Sequence, residues 1–190
     1  MTLNKINKIF NESIEAISES KKISEDIQKT IDAITNCYRK GNKIVIFGNG
    51  GSAADAQHLA AEFVGRFKLE RQSLPAIAFT TDTSIITSLG NDYGFESVFA
   101  RQCESMVQKG DVVIAISTSG RSQNVLNGIK SAKNKGALII GLTGDSGSSL
   151  QKMVDILLVV PSKSIPRIQE SHRIIIHIIC EFVEENFKRK

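Results

Sequence analysis

Five short apolar segments, each followed by a polar loop and then by a helical pattern, constrain the fold more than any other feature. They occupy residues 43–47 (KIVIF), 76–80 (AIAFT), 111–117 (DVVIAIS), 137–143 (ALIIGLT) and 155–160 (DILLVV). Near-continuous apolar strands are typical of a parallel sheet that helices cover on both faces. The alternation of strand and helix therefore predicts an α/β fold with a doubly wound, five-stranded parallel sheet.

The first forty residues follow a helical pattern instead. Apolar residues recur at spacings of three and four, at positions 6, 10, 14 and 17 and again at 23, 27, 31 and 34. Gly41 after Arg39 and Lys40 indicates a helix end, because glycine accepts the left-handed conformation there. We predict a helical hairpin that covers either its own chain or a neighbouring subunit. We expect one domain over residues 1–190, with helices in 1–40 and an α/β body with a C-terminal helix in 41–190.

The composition is that of an ordinary globular protein. Of 190 residues, 41% are hydrophobic and 23% are charged, which excludes a disordered tail, a collagenous repeat and a coiled-coil rod. Apolar runs are far shorter than the roughly 20 residues of a membrane-spanning helix, and the N-terminus lacks a signal-peptide core. Three cysteines without C-x-x-C spacing suit a reducing compartment, so we expect a cytoplasmic protein. The net charge of +4 is small and scattered, whereas nucleic-acid binding usually needs a concentrated basic face. An anionic small molecule fits the same charge balance equally well, and we expect no nucleic-acid partner.

Three loops rich in glycine and hydroxyl groups follow the first, third and fourth strands: 48–52 (GNGGS), 117–122 (STSGRS) and 143–147 (TGDSG). In doubly wound sheets, ligands bind beyond the carboxyl ends of the strands. The 117–122 loop opens a helix predicted from about residue 122 to 135, where free N–H groups receive anions. It therefore predicts a phosphate site, although such a loop can also merely cap its helix.

The loop at residues 48–52 has two interpretations that do not exclude each other. Its glycines allow successive N–H groups to converge on an anion in a backbone nest. The same residues also suit a tight strand-to-helix turn, with Ser52 and Asp55 forming a capping box.

The three histidines are candidates for acid–base or metal chemistry. His58 and Glu62 share a helix face, which suits a zinc site, a general acid/base pair or a surface salt bridge. His177 lies among isoleucines in a helix that is apolar almost all round. The alternative to acid–base or metal chemistry for His177 is therefore a core histidine that makes one hydrogen bond. His172 lies in a more polar stretch and is expected at the surface or behind a site. Gln169, at the predicted start of the last helix, is a polar residue to which its position alone assigns no role.

Four stretches together resemble the sugar isomerase (SIS) domain family and, within it, the bacterial isomerases of sedoheptulose 7-phosphate: FGNGGSAADAQHLAAEFVGRF, LGNDYGF, ISTSGRSQNV and RIQESHRIIIH. The resemblance spans nearly the whole chain. It implies a flavodoxin-like sheet and a homotetramer with active sites at subunit interfaces. It also implies an aldose–ketose isomerisation through an enediol, from D-sedoheptulose 7-phosphate to D-glycero-D-manno-heptose 7-phosphate. That reaction begins heptose precursor synthesis for lipopolysaccharide or another surface glycan.

The resemblance also implies roles for individual residues. Glu62 matches the catalytic base of the family and His177 its acid. One zinc ion per subunit would be bound by His58, Glu62, Gln169 and His177. Besides Glu62 and Gln169, the substrate-binding residues implied are Asn49, Gly50, Gly51, Asn91, Asp92, Ser117, Thr118, Ser119 and Ser122, of which the last four form a phosphate cradle.

Two alternatives to this function remain open. A non-catalytic SIS adaptor that binds a replication initiator shares the GNG-x-SAA-x-AQH and RIQE-x-H stretches. By the family pattern, that adaptor lacks acid and base residues where Glu62 and His177 stand here. The second alternative is an isomerase of another sugar phosphate, such as a phosphohexulose or arabinose 5-phosphate.

The spacing of two implied zinc ligands raises a geometric question. On a regular helix, Gln169 and His177 lie about 12 Å apart along the axis and about 80° around it. One metal ion would not easily bind both. We therefore expect either an irregular helix at Gln169 or ligands that come from two subunits.

Overall fold

The computed structural model describes residues 2–144 and 149–188. In these residues the helices and strands are, in chain order, α1 (Thr2–Glu19), α2 (Ser24–Arg39), β1 (Ile44–Gly48), α3 (Gly51–Val64), β2 (Ala76–Ala78), α4 (Thr83–Tyr93), α5 (Val98–Met106), β3 (Val112–Ile116), α6 (Gln123–Asn134), β4 (Leu138–Gly144), β5 (Ile156–Val160) and α7 (Ile165–Glu185). Short 3-10 turns occupy Ser20–Ile23, Phe95–Ser97 and Ser149–Lys152.

The five strands form one parallel sheet in the order β2-β1-β3-β4-β5. Every predicted strand is present, and the predicted fold class is confirmed. The strand order reverses between β1 and β3, where Gly48 pairs with Ile116 at the carboxyl ends. The loops after these two strands therefore start at the same level, at the position where doubly wound sheets bind ligands.

Helices cover both faces of the sheet, which explains why the strands are apolar along their whole length. Helices α2, α3 and α7 pack on one face, where Ile34, Leu59 and Ile176 are fully buried. Helices α5 and α6 pack on the other, where the rings of Phe47 and Phe99 stack with centroids 4.8 Å apart. The sheet and the apolar cores on its two faces therefore separate α3 and α7, which carry the candidate site, from α5 and α6.

The two N-terminal helices differ in what they cover. Helix α2 buries Ile27, Ile31 and Ile34 against its own chain. Helix α1 packs on α7, where the Arg167 guanidinium donates to the Ile9 carbonyl at 3.1 Å, yet Ala16 is its buried residue. Its large apolar side chains are 45% to 67% exposed, namely Leu3, Ile6, Ile9, Phe10 and Ile14. The predicted hairpin therefore covers its own chain with α2 and leaves an apolar face of α1 open.

Two predictions about helix ends had different outcomes. Gly41 has a φ of 75° and follows the end of α2, as predicted. The capping box was wrong, because Gly50 occupies the cap position of α3 and Asp55 pairs with Arg173 of α7.

No helix in the described ranges combines the length and apolar character that a membrane crossing requires.

Candidate active site

Helices α3 and α7 lie side by side and carry the candidate acid, base and metal ligands. Successive turns of the two helices are in contact through three pairs: Gly51 with Gln169, Asp55 with Arg173, and His58 with His177. Each helix begins after the carboxyl end of a strand, so the two run parallel and away from that edge of the sheet. The site residues therefore form a row along the seam between the two helices.

Glu62 and His177 both lie next to the imidazole of His58. The His58 Nε2 atom is 2.9 Å from His177 Nε2 and 3.4 Å from Glu62 Oε1. Burial, and then the charge of Arg173, lowers the pKa of His58 against the opposing effect of Glu62. At Nε2, a neutral His58 either donates one hydrogen bond or accepts one, according to which ring nitrogen carries the proton. The chain thus gathers a carboxylate and two imidazoles at one point, which we call the His58 cluster (His58, Glu62 and His177).

The His58 cluster is partly covered and partly exposed to solvent. The Phe67 ring lies against the His177 ring, with centroids 5.4 Å apart. The side chains of His58 and Glu62 remain 32% and 21% exposed. A small molecule can therefore reach the carboxylate from solvent.

The donor chemistry of the His58 cluster suits zinc, which binds imidazole nitrogens and carboxylate oxygens. Tetrahedral ligands about 2.0–2.1 Å from zinc are about 3.3 Å from each other. That spacing matches the 3.4 Å between His58 and Glu62 but exceeds the 2.9 Å between the two imidazole nitrogens. Among residues 2–144 and 149–188, no group of three or more His, Cys, Asp or Glu is arranged to hold a metal as it stands.

Gln169 lies apart from the His58 cluster within this chain. Helix α7 is continuous over Ile165–Glu185, so the irregular helix considered above is excluded. Gln169 is therefore about 12 Å along the axis from His177. Its side chain instead contacts Gly51, where an added Cβ would overlap the amide nitrogen. The chain brings three of the four predicted ligands together and leaves the fourth at the start of α3.

The hydroxyl groups of the predicted phosphate loop make hydrogen bonds within the loop itself. The Ser117 Oγ atom lies 3.3 Å from Ser122 Oγ and accepts a hydrogen bond from the Gly120 N–H at 3.1 Å. Ser122 occupies the cap position of α6, but its side chain makes no capping hydrogen bond. Ser119 accepts from the Arg121 N–H at 3.3 Å, and the Thr118 carbonyl accepts from Gly144 at 3.1 Å. Hydroxyl groups and a helix N-terminus therefore meet at one loop.

A buried asparagine that the sequence analysis missed joins this loop to the one after β1. Asn49 and Asn124 exchange two amide hydrogen bonds, each 2.9 Å long. Asn124 is buried in the first turn of α6. The sequence feature that could have revealed Asn124 is its polar side chain in the first turn after a serine-rich loop.

The loop after β1 is a tight turn, as one of the two interpretations predicted. Gly50 has a φ of 56°, and the Ser52 N–H donates to the Asn49 carbonyl at 3.0 Å. An added Cβ at Gly51 would overlap the Gln169 amide, so that side chain would have to move. Anion binding by this turn stays a prediction.

Asn91 and Asp92 lie in the last turn of α4, a helix that the sequence analysis did not predict. Both side chains are exposed, and the Asn91 amide donates to the Asp92 carboxylate at 2.8 Å. The helix starts where the Asp82 carboxylate accepts from the Ile85 N–H at 2.9 Å. Of the third predicted loop, Thr143 and Gly144 belong to β4, and 145–147 lie outside the described residues.

His172 is fully buried, so of the two places expected for it, the surface was wrong. Its Nε2–H donates to the Thr143 carbonyl at 3.3 Å, which places the imidazole behind the end of β4. Burial lowers the pKa of His172 to about 4, although the hydrogen bond to Thr143 opposes the shift. The imidazole is therefore neutral in the folded chain at neutral pH.

We expect this buried imidazole to make stability depend on pH. The pKa of about 4 lies below the value of about 6.5 in the unfolded chain, so the unfolded chain binds the proton first as the pH falls. The contribution is fully present above pH 6.5 and is lost toward pH 4, by about 2 kcal/mol at pH 5. Urea unfolding of wild type and His172→Gln at pH 7 and pH 5 measures it. Equal pH dependence in both proteins would contradict a neutral buried imidazole.

Comparisons with known proteins identify the family of this chain. The family model of the SIS domain matches residues 8–144. A phosphoheptose isomerase of Aquifex aeolicus is 50% identical over 184 residues, which cover 96% of each chain, and one of Pelobacter propionicus is 57% identical over 152 residues, or 80% of each. The solved phosphoheptose isomerase of Neisseria gonorrhoeae is 40% identical with a TM-score of 0.93, over 97% of this chain and 100% of that one. The chain therefore belongs to the SIS domain family and, within it, to the phosphoheptose isomerases.

Proposed function

We propose that the chain isomerises D-sedoheptulose 7-phosphate to D-glycero-D-manno-heptose 7-phosphate, the first step toward heptose precursors of lipopolysaccharide or another surface glycan. The observation that carries the proposal is the convergence of Glu62 and His177 on His58. The relatives that are 50% and 57% identical are phosphoheptose isomerases, and they lend no support to the adaptor or to another sugar phosphate. Cytoplasmic location stays a prediction.

The reaction requires two kinds of proton transfer. Moving the carbonyl from C2 to C1 passes through an enediol, so the site needs a base at carbon and a proton relay at oxygen. The Glu62 carboxylate removes a proton from C1 and returns it to C2. The His177 imidazole donates a proton to O2 and accepts the one that leaves O1. Their proximity to one His58 nitrogen lets both groups act on adjacent atoms of a substrate.

The loop from Ser117 to Ser122 is the proposed phosphate site. Its hydroxyl groups and the first N–H groups of α6 offer donors for an anion. Binding the phosphate away from the reacting carbons orients the sugar chain and lowers the entropic part of the barrier.

The distance between this loop and the His58 cluster supports an active site shared by two chains. Gly51 lies at the level of the phosphate loop, and Glu62 is about 16 Å further along α3. C2 and the phosphorus of the substrate are at most about 10 Å apart, given C–C bonds of about 1.5 Å. We therefore propose that the phosphate loop and Gln169 of one chain meet the His58 cluster of a second copy. The exposed apolar face of α1 supports a homo-oligomer, for which a tetramer is the expectation.

Mixing two inactive variants tests the shared site. We expect Glu62→Gln and Gln169→Ala to be nearly inactive alone. Refolding them together should restore activity to about a quarter of wild type, because random mixing leaves about one site in four with two intact halves. Turnover and light scattering are measured on the same samples. A mixture as inactive as its components, or a monomeric wild type, would contradict the proposal.

We also propose that His58, Glu62, His177 and Gln169 bind one zinc ion per subunit. When bound, zinc acts as a Lewis acid toward the oxygens of the reacting carbons. The support is the donor chemistry of the His58 cluster and the 3.4 Å between His58 Nε2 and Glu62 Oε1.

We expect about one zinc per chain in wild type and in His172→Gln, but far less in His58→Ala, because that variant lacks one of the four proposed ligands. Elemental analysis of the three purified proteins measures this. A coupled assay with sedoheptulose 7-phosphate, before and after chelation, adds the activity. Full turnover after complete metal removal would contradict a functional zinc.

Turnover of arabinose 5-phosphate without turnover of the heptulose would contradict the proposed substrate.

A further inference from the structure

We infer that a buried ion pair, Arg71 with Glu184, positions Glu62 and His177 for the reaction. Arg71 lies between α3 and β2 and is 5% exposed, and Glu184 lies in the last turn of α7 and is 1% exposed. The Arg71 Nε atom is 3.3 Å from Glu184 Oε2. The pair therefore joins the ends of the two helices that carry the His58 cluster. The inference rests on the proposed isomerase function.

The guanidinium holds the end of α3. It donates to the carbonyls of Glu62 at 2.7 Å, Phe63 at 2.9 Å and Gly65 at 3.2 Å. The last carbonyls of a helix have no partner within the helix, and a cation there also suits the helix dipole. The backbone of Glu62 is thus bonded directly to Arg71.

The Glu184 carboxylate holds the loop that covers His177. It accepts from the N–H groups of Phe67 at 2.8 Å, Lys68 at 2.7 Å and Leu69 at 2.7 Å. Burial alone would raise the pKa of Glu184, but these N–H groups and Arg71 together lower it. Three donors on one carboxylate fix the loop backbone, and Phe67 in this loop packs on the His177 ring.

A single ion pair therefore controls where the candidate base and acid lie relative to each other. Loosening it shifts the end of α3 and the Phe67 loop independently. A misplacement of about 1 Å between reacting groups can cost about 10²-fold in rate. In the proposed shared site, the phosphate loop that binds the substrate belongs to the second copy and lies outside the segments that Arg71 and Glu184 hold, so substrate binding should change little. This difference separates a positioning role from general unfolding.

The main test compares Glu184→Gln with Asp111→Asn. Asp111 is also a buried carboxylate in an ion pair, 2.6 Å from Lys43 Nζ, and it accepts from the Gln108 N–H at 2.8 Å. It precedes β3, and its partners Lys43 and Gln108 lie outside α3, α7 and the Phe67 loop. We expect Glu184→Gln to lower kcat about 10²-fold with KM within about threefold. Asp111→Asn should keep kcat within about threefold of wild type, even where its thermal stability matches that of Glu184→Gln. Equal losses of kcat in the two variants, or an unchanged kcat in Glu184→Gln, would overturn the inference.

Phe67→Leu keeps the test decisive if Glu184→Gln does not fold. This variant leaves both charged residues in place and removes only the ring that packs on His177. We expect kcat to fall at least about tenfold, with KM within about threefold. A kcat near that of wild type would overturn the link from Glu184 to His177. An inactive wild type would refute the proposed function instead, so the two failures are distinguishable.

Discussion

Glu62→Gln should reduce turnover of sedoheptulose 7-phosphate about 10³-fold, because a general base contributes about 10²–10⁴-fold to such reactions. The amide keeps the size of the side chain and an oxygen that can bind a metal, but it cannot accept the C1 proton. Substrate affinity should change little. Initial rates and the exchange of C1 deuterium with solvent both measure the loss.

Glu104→Gln is the matched control for this prediction. Glu104 is exposed on α5, on the opposite face of the sheet from the His58 cluster. Its variant should have wild-type turnover. Zinc content of Glu62→Gln separates a lost base from a lost ligand. Wild-type exchange at C1 in this variant would contradict the assignment of Glu62 as the base.

Ser122→Asp should raise KM for the heptulose phosphate by about 10²-fold or more. Aspartate is a favourable cap residue, so α6 should remain folded. Its charge, however, would lie beside the bound phosphate. Two like charges 4 Å apart at an effective dielectric constant of 20 repel by about 4 kcal/mol, which is near 10³-fold before screening by solvent. Steady-state kinetics at low ionic strength measure the increase.

Ser122→Asn provides the control, because asparagine has the shape of aspartate without its charge. We expect the KM of this variant within about tenfold of wild type, since it loses at most one neutral hydrogen bond of about 1.5 kcal/mol. If Ser122→Asp and Ser122→Asn raise KM equally, charge is not the cause. The phosphate would then bind elsewhere.

The fold could be predicted from the sequence because its signals are local. Each strand appears as a short apolar run, and a strand that is buried on both faces has no other pattern available. The shared face of His58 and Glu62 follows from helix periodicity alone. The resemblance of four stretches to one family then assigned roles that periodicity could not.

Local polarity is a poor guide to burial where burial depends on neighbours in space. His172 lies in a polar stretch, yet it is fully buried behind β4. Helix α7 is contacted by α1, α2, α3 and the sheet, so even its polar positions can face protein. Burial of a helix residue depends on what packs around the helix, and its own neighbours in sequence do not report that.

The sequence by itself determined the parallel sheet, the loops at its carboxyl edge and the pairing of His58 with Glu62, since each rests on residues a few positions apart. Only the tertiary structure brought His177 to His58, Asn124 to Asn49 and Glu184 to Arg71. These contacts join segments far apart in the chain, and they depend on how α3 and α7 align on the sheet. That alignment results from the packing of many apolar side chains at once, which no single motif encodes.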